Sequence, residues 1–270
     1  MQWRLPIKLL GSEPGKRVLV TGSRGKSSIV RLLHAAFRQS GLQSYARITG
    51  VVPRELTTDA VCAISRSAGA HVEEMRWWLR QLPATAEAIV LENSAISPDL
   101  QSLAGTWLQP DITVLTNTLP DHQESWGDTA RCATGVLVNG IPKYSRVVIP
   151  ARLKPDQYLL DSLEDRCCRV IFAEPVTTIS EAYHAVNVGM ALTAAMQLGL
   201  PREPTLENML QLPADDYDFK VVNYAGGRMA MAFSVNDISS TQQLFKSLRW
   251  PEQDTRLIYN HRRDRPERFK

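Results

Sequence analysis

Apolar residues along this chain come in two rhythms. Short unbroken runs, RVLVT, AEAIVLEN, DITVLTN, SRVVIP and CRVIFAE, each give way to a polar or turn-forming stretch. Between them apolar positions recur every three to four residues. Ile29, Val30, Leu32, Leu33, Ala36 and Phe37 do so before Gly41, as do VEEMRWWLRQL and the longer ISEAYHAVNVGMALTAAMQLGL. Brief apolar runs bounded by turn signals suit strands buried on both faces, and the wider spacing suits amphipathic helices. Their alternation predicts an α/β chain with a mainly parallel sheet flanked by helices. In such sheets ligands sit at the carboxyl ends of the strands. The polar residues just after each run therefore form the first set to read for chemistry.

The rhythm changes near Asp218. DYDFKVVNYAGG breaks the periodicity and offers Gly226 and Gly227 as a hinge. RMAMAFSVND then reads as a strand ending at Asn236 and Asp237, STQQLFKSLRW as a helix, and TRLIYN as a strand ending at Asn260. We place one domain at residues 1–219 and the start of a second at 220–270.

A length of 270 residues suits one or two domains. The net charge of +3 is too small to argue for a nucleic-acid partner. Cys62, Cys132, Cys167 and Cys168 lack metal-like spacing and read as free thiols of a reducing cytoplasm. No apolar run approaches the ~20 residues of a membrane span, and no signal peptide is evident.

The richest stretch is VLVTGSRGKSS, residues 18–28. Strand, glycine turn and helix N-terminus together point backbone N–H groups and a partial positive charge at an anion. The full phosphate-loop pattern is G-x-x-x-x-G-K-[ST], but here Gly22 stands only three residues before Gly25. The loop is either a shortened relative or an ordinary turn that carries Gly and Lys. In the first reading Gly22 and Gly25 admit the ligand closely, Lys26 reaches the β- and γ-phosphates, and the Ser27 hydroxyl ligates Mg²⁺. Glu92 stands at the tip of a later strand, and Asn117, Asp121, His122 and Glu124 follow the next one. Singly, Glu92 reads as a solvated carboxylate and His122 as a capping histidine. Together, downstream of the glycine loop, they read as a magnesium–nucleotide site.

VTGSRGKSS, VLENSAISPDLQ, TVLTNTLPDHQESWG and AVNVGMALTAA, in that order, resemble the Mur ligase superfamily, whose nucleotide loop has the short G-x-x-G-K-[ST] form. Within it, GSRGKSS, RITG and NDISSTQQL…LIYNHRRDRPER look most like the ATP-dependent subunit of poly-γ-glutamate synthase. The resemblance implies an ATP-dependent carboxylate–amine ligase that works through an acyl phosphate, with ATP and Mg²⁺ as cofactors and glutamate or a poly-γ-glutamate-like chain as substrate. It implies that Gly22, Arg24, Gly25, Lys26, Ser27 and Ser28 hold the triphosphate. Ser27, Glu92 and His122 would hold magnesium, with Lys26, Glu92 and His122 carrying the catalysis. Asn187 would face the adenine. Asp237, Arg262 and Arg265, with Asp264 and Arg268 nearby, would meet the nucleotide from the far side. Arg47 stands where that branch tends to have lysine.

An α/β domain begun at residue 220 would need roughly a hundred further residues to cover its sheet, so the second domain reads as truncated. Other amino-acid ligases of the superfamily, and a non-catalytic ATP-binding subunit, remain as alternatives. Membrane-bound synthase subunits are the implied partners, with a cytoplasmic location at the inner membrane face. Self-association is left open, and no nucleic acid is expected.

Overall fold

The computed structural model describes residues 15–50, 52–66, 69–179, 182–215, 218–233, 235 and 238–259. The chain divides into two compact units between Leu212 and Pro213.

The first unit contains strands β1 (Lys16–Thr21), β2 (Ser44–Ile48), β3 (Arg54–Leu56), β4 (Val61–Ala63), β5 (Ala88–Glu92), β6 (Ile112–Leu115), β7 (Arg146–Pro150) and β8 (Arg169–Ala173). Its helices are α1 (Lys26–Gln39), α2 (Glu73–Gln81), α3 (Ser102–Leu108), α4 (Gln123–Trp126), α5 (Ala130–Asn139), α6 (Gln157–Glu164), α7 (Ala182–Gln197) and α8 (Arg202–Leu210). The strands form one sheet in the order β4-β3-β2-β5-β1-β6-β7-β8. Pairing is parallel from β2 through β8, and β3 and β4 extend the edge in antiparallel fashion. The expected mainly parallel sheet is present. The short antiparallel edge had no signal in the hydrophobic rhythm, because Val61, Cys62 and Ala63 bury nothing.

Parallel strands need cover on both faces. Val18 and Val20 of β1 turn to a layer made by α1, α7 and α8, with Ile29, Leu33, Phe37, Val188 and Ala191 sealed from solvent. Leu19 turns the other way, onto Met75, Trp78 and Leu79 of α2 and Leu108 of α3. Leu115, Val147 and Ile149 pack on α5 and α6. With both faces filled, β1 runs between β5 and β6 at the centre of the sheet, and its carboxyl end opens into the glycine loop.

The second unit holds β9 (Lys220–Tyr224), β10 (Gly227–Met231) and α9 (Ile238–Leu248). Here the structure corrects the sequence reading. The glycine pair lies at the tip of an antiparallel hairpin, with Gly226 in its turn and Gly227 opening β10, and is not a hinge. Ala225 and Gly226 both take positive φ, 48° and 79°, which matches the twist of a two-residue hairpin loop. Residues 255–259, expected as a strand, form none, and Leu257 and Ile258 lie open to solvent. An apolar run becomes a strand only beside a partner strand, and neither sheet among the described residues includes this one.

Candidate functional site

The turn from β1 into α1 brings two positive-φ glycines and Lys26 together at a helix N-terminus. Gly22 has φ 126° and Gly25, at the N-cap of α1, has φ 80°; both values favour glycine. A Cβ on Gly22 would lie 2.1 Å from Thr116 Oγ1, so the loop presses against the end of β6. A Cβ on Gly25 would lie 3.1 Å from Asn187 Oδ1. The backbone is thus closed over a cradle that side chains would fill.

Lys26 folds back into this cradle. Its ammonium donates to the carbonyls of Gly22 at 2.6 Å and Ser23 at 3.3 Å. Burial presses its pKa below the ordinary lysine value. The carboxylates of Glu92 and Asp121 work in the opposite sense, and Arg24 adds to the depression. The cation is therefore held in a site where an arriving anion would relieve it.

Ser27 and Glu92 are joined directly. The Ser27 hydroxyl donates to Glu92 Oε2 at 2.8 Å. Glu92 is buried at the tip of β5, and it also accepts from the Thr49 amide at 3.2 Å and the Thr49 hydroxyl at 2.8 Å. Thr49 had no role in the sequence reading beyond its place in RITG. It lies just past β2, which no sequence signal marked as a strand beside β5.

The loop after β6 docks on the same turn. Asn117 donates to the Arg24 carbonyl at 2.9 Å, and Ser23 donates to the Leu119 carbonyl. Arg24 forms an ion pair with Asp121. Asp121 Oδ1 accepts the His122 amide at 3.0 Å, and its other oxygen lies 3.7 Å from His122 Nε2. His122 itself holds φ 46°, with Nδ1 3.4 Å from Glu124 and its ring against Trp126. A non-glycine residue in that conformation is costly, by about 1–3 kcal/mol, and such strain concentrates at functional sites. Asp121 is the second residue without an assigned role. It ties the arginine of the glycine loop to the histidine of the next loop.

The structure thus joins Gly22, Arg24, Gly25, Lys26, Ser27 and Glu92 in one cluster and links His122 to it through Asp121. Ser28 lies in the first turn of α1. Asn187 of α7 lies against Gly25; it is buried, and its Nδ2 has no hydrogen-bond partner. Asp237, Arg262 and Arg265 fall outside the described residues. Among the described residues no three His, Cys, Asp or Glu side chains gather as a metal cage.

A glycine cradle at a helix N-terminus, a buried lysine and a serine–carboxylate pair gather at the carboxyl end of the central strand of an α/β sheet. Residues 20–195 match the Mur ligase middle domain, and residues 217–270 match the poly-gamma-glutamate synthase CapB C-terminal domain. The chain belongs to the Mur ligase family. It is 27% identical over 271 residues to PGA synthase CapB of Bacillus subtilis (strain 168), covering 93% of this chain and 69% of that protein. It is 26% identical over 247 residues to the capsule biosynthesis protein CapB of Bacillus anthracis, covering 85% of this chain and 53% of that one. Among solved structures it resembles a bifunctional folylpolyglutamate synthase/dihydrofolate synthase with Mn, AMPPNP and L-glutamate bound. The TM-score there is 0.67 at 15% identity, covering 90% of this chain and 68% of the other. No helix among the described residues is long and apolar enough to cross a membrane.

Proposed function

We propose that this chain is an ATP-dependent carboxylate–amine ligase, most like poly-γ-glutamate synthase, and that the cluster around Lys26 is its phosphoryl-transfer site. The observation that carries the reading is the 2.8 Å bond between Ser27, on the glycine loop, and Glu92, at the tip of the neighbouring strand. A hydroxyl and a carboxylate so joined are the hard oxygen donors that a magnesium ion takes together with phosphate oxygens and water. The orphaned Asn187 amide and the glycine cradle also fit a nucleotide beside the α1 N-terminus.

The chemistry follows from what a carboxylate lacks. It is a poor electrophile until its oxygen accepts the γ-phosphoryl group of ATP, which gives an acyl phosphate and ADP. An amine then attacks the acyl carbon, and the C–O bond to phosphate breaks. Little covalent work falls to the protein, so positioning and charge neutralisation dominate. The amides of Gly25 and Lys26 and the α1 dipole hold the phosphates. Lys26 exchanges the carbonyls of Gly22 and Ser23 for phosphate oxygens. Ser27 and Glu92 would hold Mg²⁺, which would supply neutralisation of phosphate charge, and Thr49 keeps both Glu92 oxygens aimed. His122, set by Asp121, would contribute a further metal or water-mediated contact.

Glutamate or a γ-glutamyl chain is the carboxylate we assign. A complex with membrane-bound subunits, at the inner face of the membrane, is the setting that reading supports. Residues 1–219 serve as the ATP-binding part and residues 220–270 belong to a second domain. We assign Asp237, Arg262 and Arg265 to the nucleotide on the motif match alone.

Hydroxylamine tests the reading. It should intercept the acyl phosphate and yield a hydroxamate only when ATP, Mg²⁺ and glutamate or its γ-linked polymer are all present. Glu92→Gln should raise the Mg²⁺ concentration required for half-maximal yield. Steady ATP hydrolysis that never gives hydroxamate would leave an ATPase in place of a ligase.

A further inference from the structure

Arg47 lies in β2, and its side chain is one of the largest that the fold seals completely, at 1% exposure. Taking a guanidinium out of water costs several kcal/mol, about, unless its charge and its N–H groups are matched. Here the match is incomplete. Nη2 donates to Glu74 Oε2 at 2.5 Å, but Nη1 finds no hydrogen-bond partner. The same Glu74 oxygen also accepts from Arg66, at 2.7 Å from Nη2 and 3.0 Å from Nε. The other Glu74 oxygen takes the His71 amide at 3.0 Å. Two guanidinium groups therefore share one carboxylate, and the cluster keeps an excess positive charge.

The next carboxylate to act on Arg47 is Glu92, whose charge is shared with the Lys26 ammonium. Burial pushes the Arg47 pKa below the ordinary arginine value, and Arg66 adds to that push. Glu74 and, more weakly, Glu92 pull it back. Burial would raise the Glu74 carboxyl, but the bonds from Arg66 and His71 prevail and hold it below its usual range. Glu74 is thus a committed anion, with no capacity to neutralise a second cation.

The location gives the excess charge a use. Arg47 sits at the carboxyl end of β2, paired in register with Leu91. The next residue along β5 is Glu92, and Thr49, two residues past Arg47, donates to it. Arg66 reaches the cluster from the segment between β4 and α2 and is partly open, with 22% of its side chain exposed. Planar guanidinium groups recognise carboxylates through paired N–H donors, which is why arginine suits this task better than lysine.

We propose that Arg66, backed by the buried Arg47–Glu74 pair, is a carboxylate-binding subsite for the acidic substrate of the ligase. The proposal rests on the reading of the preceding subsection. Arg66 meets the ligand carboxylate. Arg47 is a positioning residue that acts through Glu74 and keeps the cluster short of one negative charge.

Calorimetric titration with γ-linked diglutamate, and separately with AMPPNP and Mg²⁺, tests this on the whole chain. Arg66→Ala should weaken diglutamate binding at least tenfold and move AMPPNP binding less than twofold. Glu74→Gln removes the shared anion and should tighten diglutamate binding severalfold. A salt bridge that merely holds the fold together would not give that result. Should Glu74→Gln fail to fold, Arg66→Gln, on the partly open side chain, carries the test alone, with thermal melting to show an intact structure.

The triamide of γ-linked diglutamate, which lacks all three carboxylates, should bind the unaltered chain at least tenfold less well than the acid. Equal binding of acid and triamide, or diglutamate affinity unchanged in Arg66→Ala, overturns the subsite. Absence of AMPPNP binding with diglutamate binding intact would instead sink the ligase reading and leave the subsite standing.

Discussion

In the first unit β1 runs between two parallel neighbours with Val18, Leu19 and Val20 wholly buried; in the second, β9 and β10 pair with each other while Val221, Tyr224 and Met229 stay exposed. The difference bears on where chemistry can be built. A backbone packed on both faces tolerates strained conformations, because its surroundings over-determine them. Gly22, Gly25 and His122 all hold positive φ at the carboxyl ends of such strands. The hairpin has a positive-φ turn as well, but a two-stranded ribbon with open faces is marginal by itself and holds nothing rigidly.

The largest effect should come from Lys26→Ala. The loop loses its one ammonium, and ATP turnover should fall by about 10²- to 10³-fold. The melting temperature should move little, because burial disfavours the cation while Glu92 and Asp121 favour it. Steady-state ATP hydrolysis and a thermal melt on the same sample check both halves. Turnover equal to that of the unaltered chain would end the phosphate-loop assignment.

Gly22→Ala comes next and should strike stability and turnover together. Its Cβ meets Thr116 Oγ1 at 2.1 Å in a backbone conformation that L-residues resist. A cost of about 3 kcal/mol should appear in chemical denaturation. The equivalent change at Gly226 in the hairpin, where a Cβ meets nothing within 4 Å, should cost about 1 kcal/mol.

His34 gives a pH dependence confined to the packed unit. It is buried in α1 with Nδ1 3.0 Å from Ser44 Oγ. Burial depresses its pKa from 6.5 to about 4; Arg38 adds to this and the Thr57 backbone opposes it. The folded state holds the ring neutral while the unfolded chain protonates it near pH 6.5. Its contribution is therefore complete above pH 6.5 and is lost as the pH falls towards 4, by roughly 2–3 kcal/mol. Denaturation near pH 7.5 and pH 4.5 should show that drop, and His34→Gln should remove most of it. An acid slope unchanged by the substitution would assign the loss to other groups.

The smallest effect belongs to the hairpin. Tyr224→Lys replaces a side chain that is 67% exposed and should change stability by no more than about 0.5 kcal/mol. A larger loss would mean that β9 packs against something this comparison takes to be solvent.

Much of the candidate site was legible before any coordinates. Gly22, Gly25, Lys26 and Ser27 follow a short apolar run and precede a helix-period stretch. Backbone strain and phosphate chemistry together demand those residue types in that order. Glu92 stood out as a polar residue at the tip of a buried strand, and His122 as one in the loop after the next strand. Thr49 and Asp121 were not assigned, because their roles are defined by partners 43 and 97 residues away, Glu92 and Arg24. Asn187 was singled out through the family resemblance, but only packing shows that its amide rests on Gly25. The strand expected at residues 255–259 failed for the converse reason: its apolar residues match a strand period, and pairing is a property of neighbours.

By itself the sequence determined the local questions in the first unit: which of its alternating runs become strands of the parallel sheet, where α1 begins, and where two glycines and a lysine meet at a helix N-terminus. Those are settled within a few residues by sterics and hydrophobic period. Only the tertiary structure decided that Arg47 is buried with an unpaired N–H, that Glu92 is held by Ser27 and Thr49 together, and that Asp121 ties Arg24 to His122. The order of strands in a sheet is a choice among long-range pairings, and burial, charge sharing and unsatisfied hydrogen bonds exist only once that choice is made.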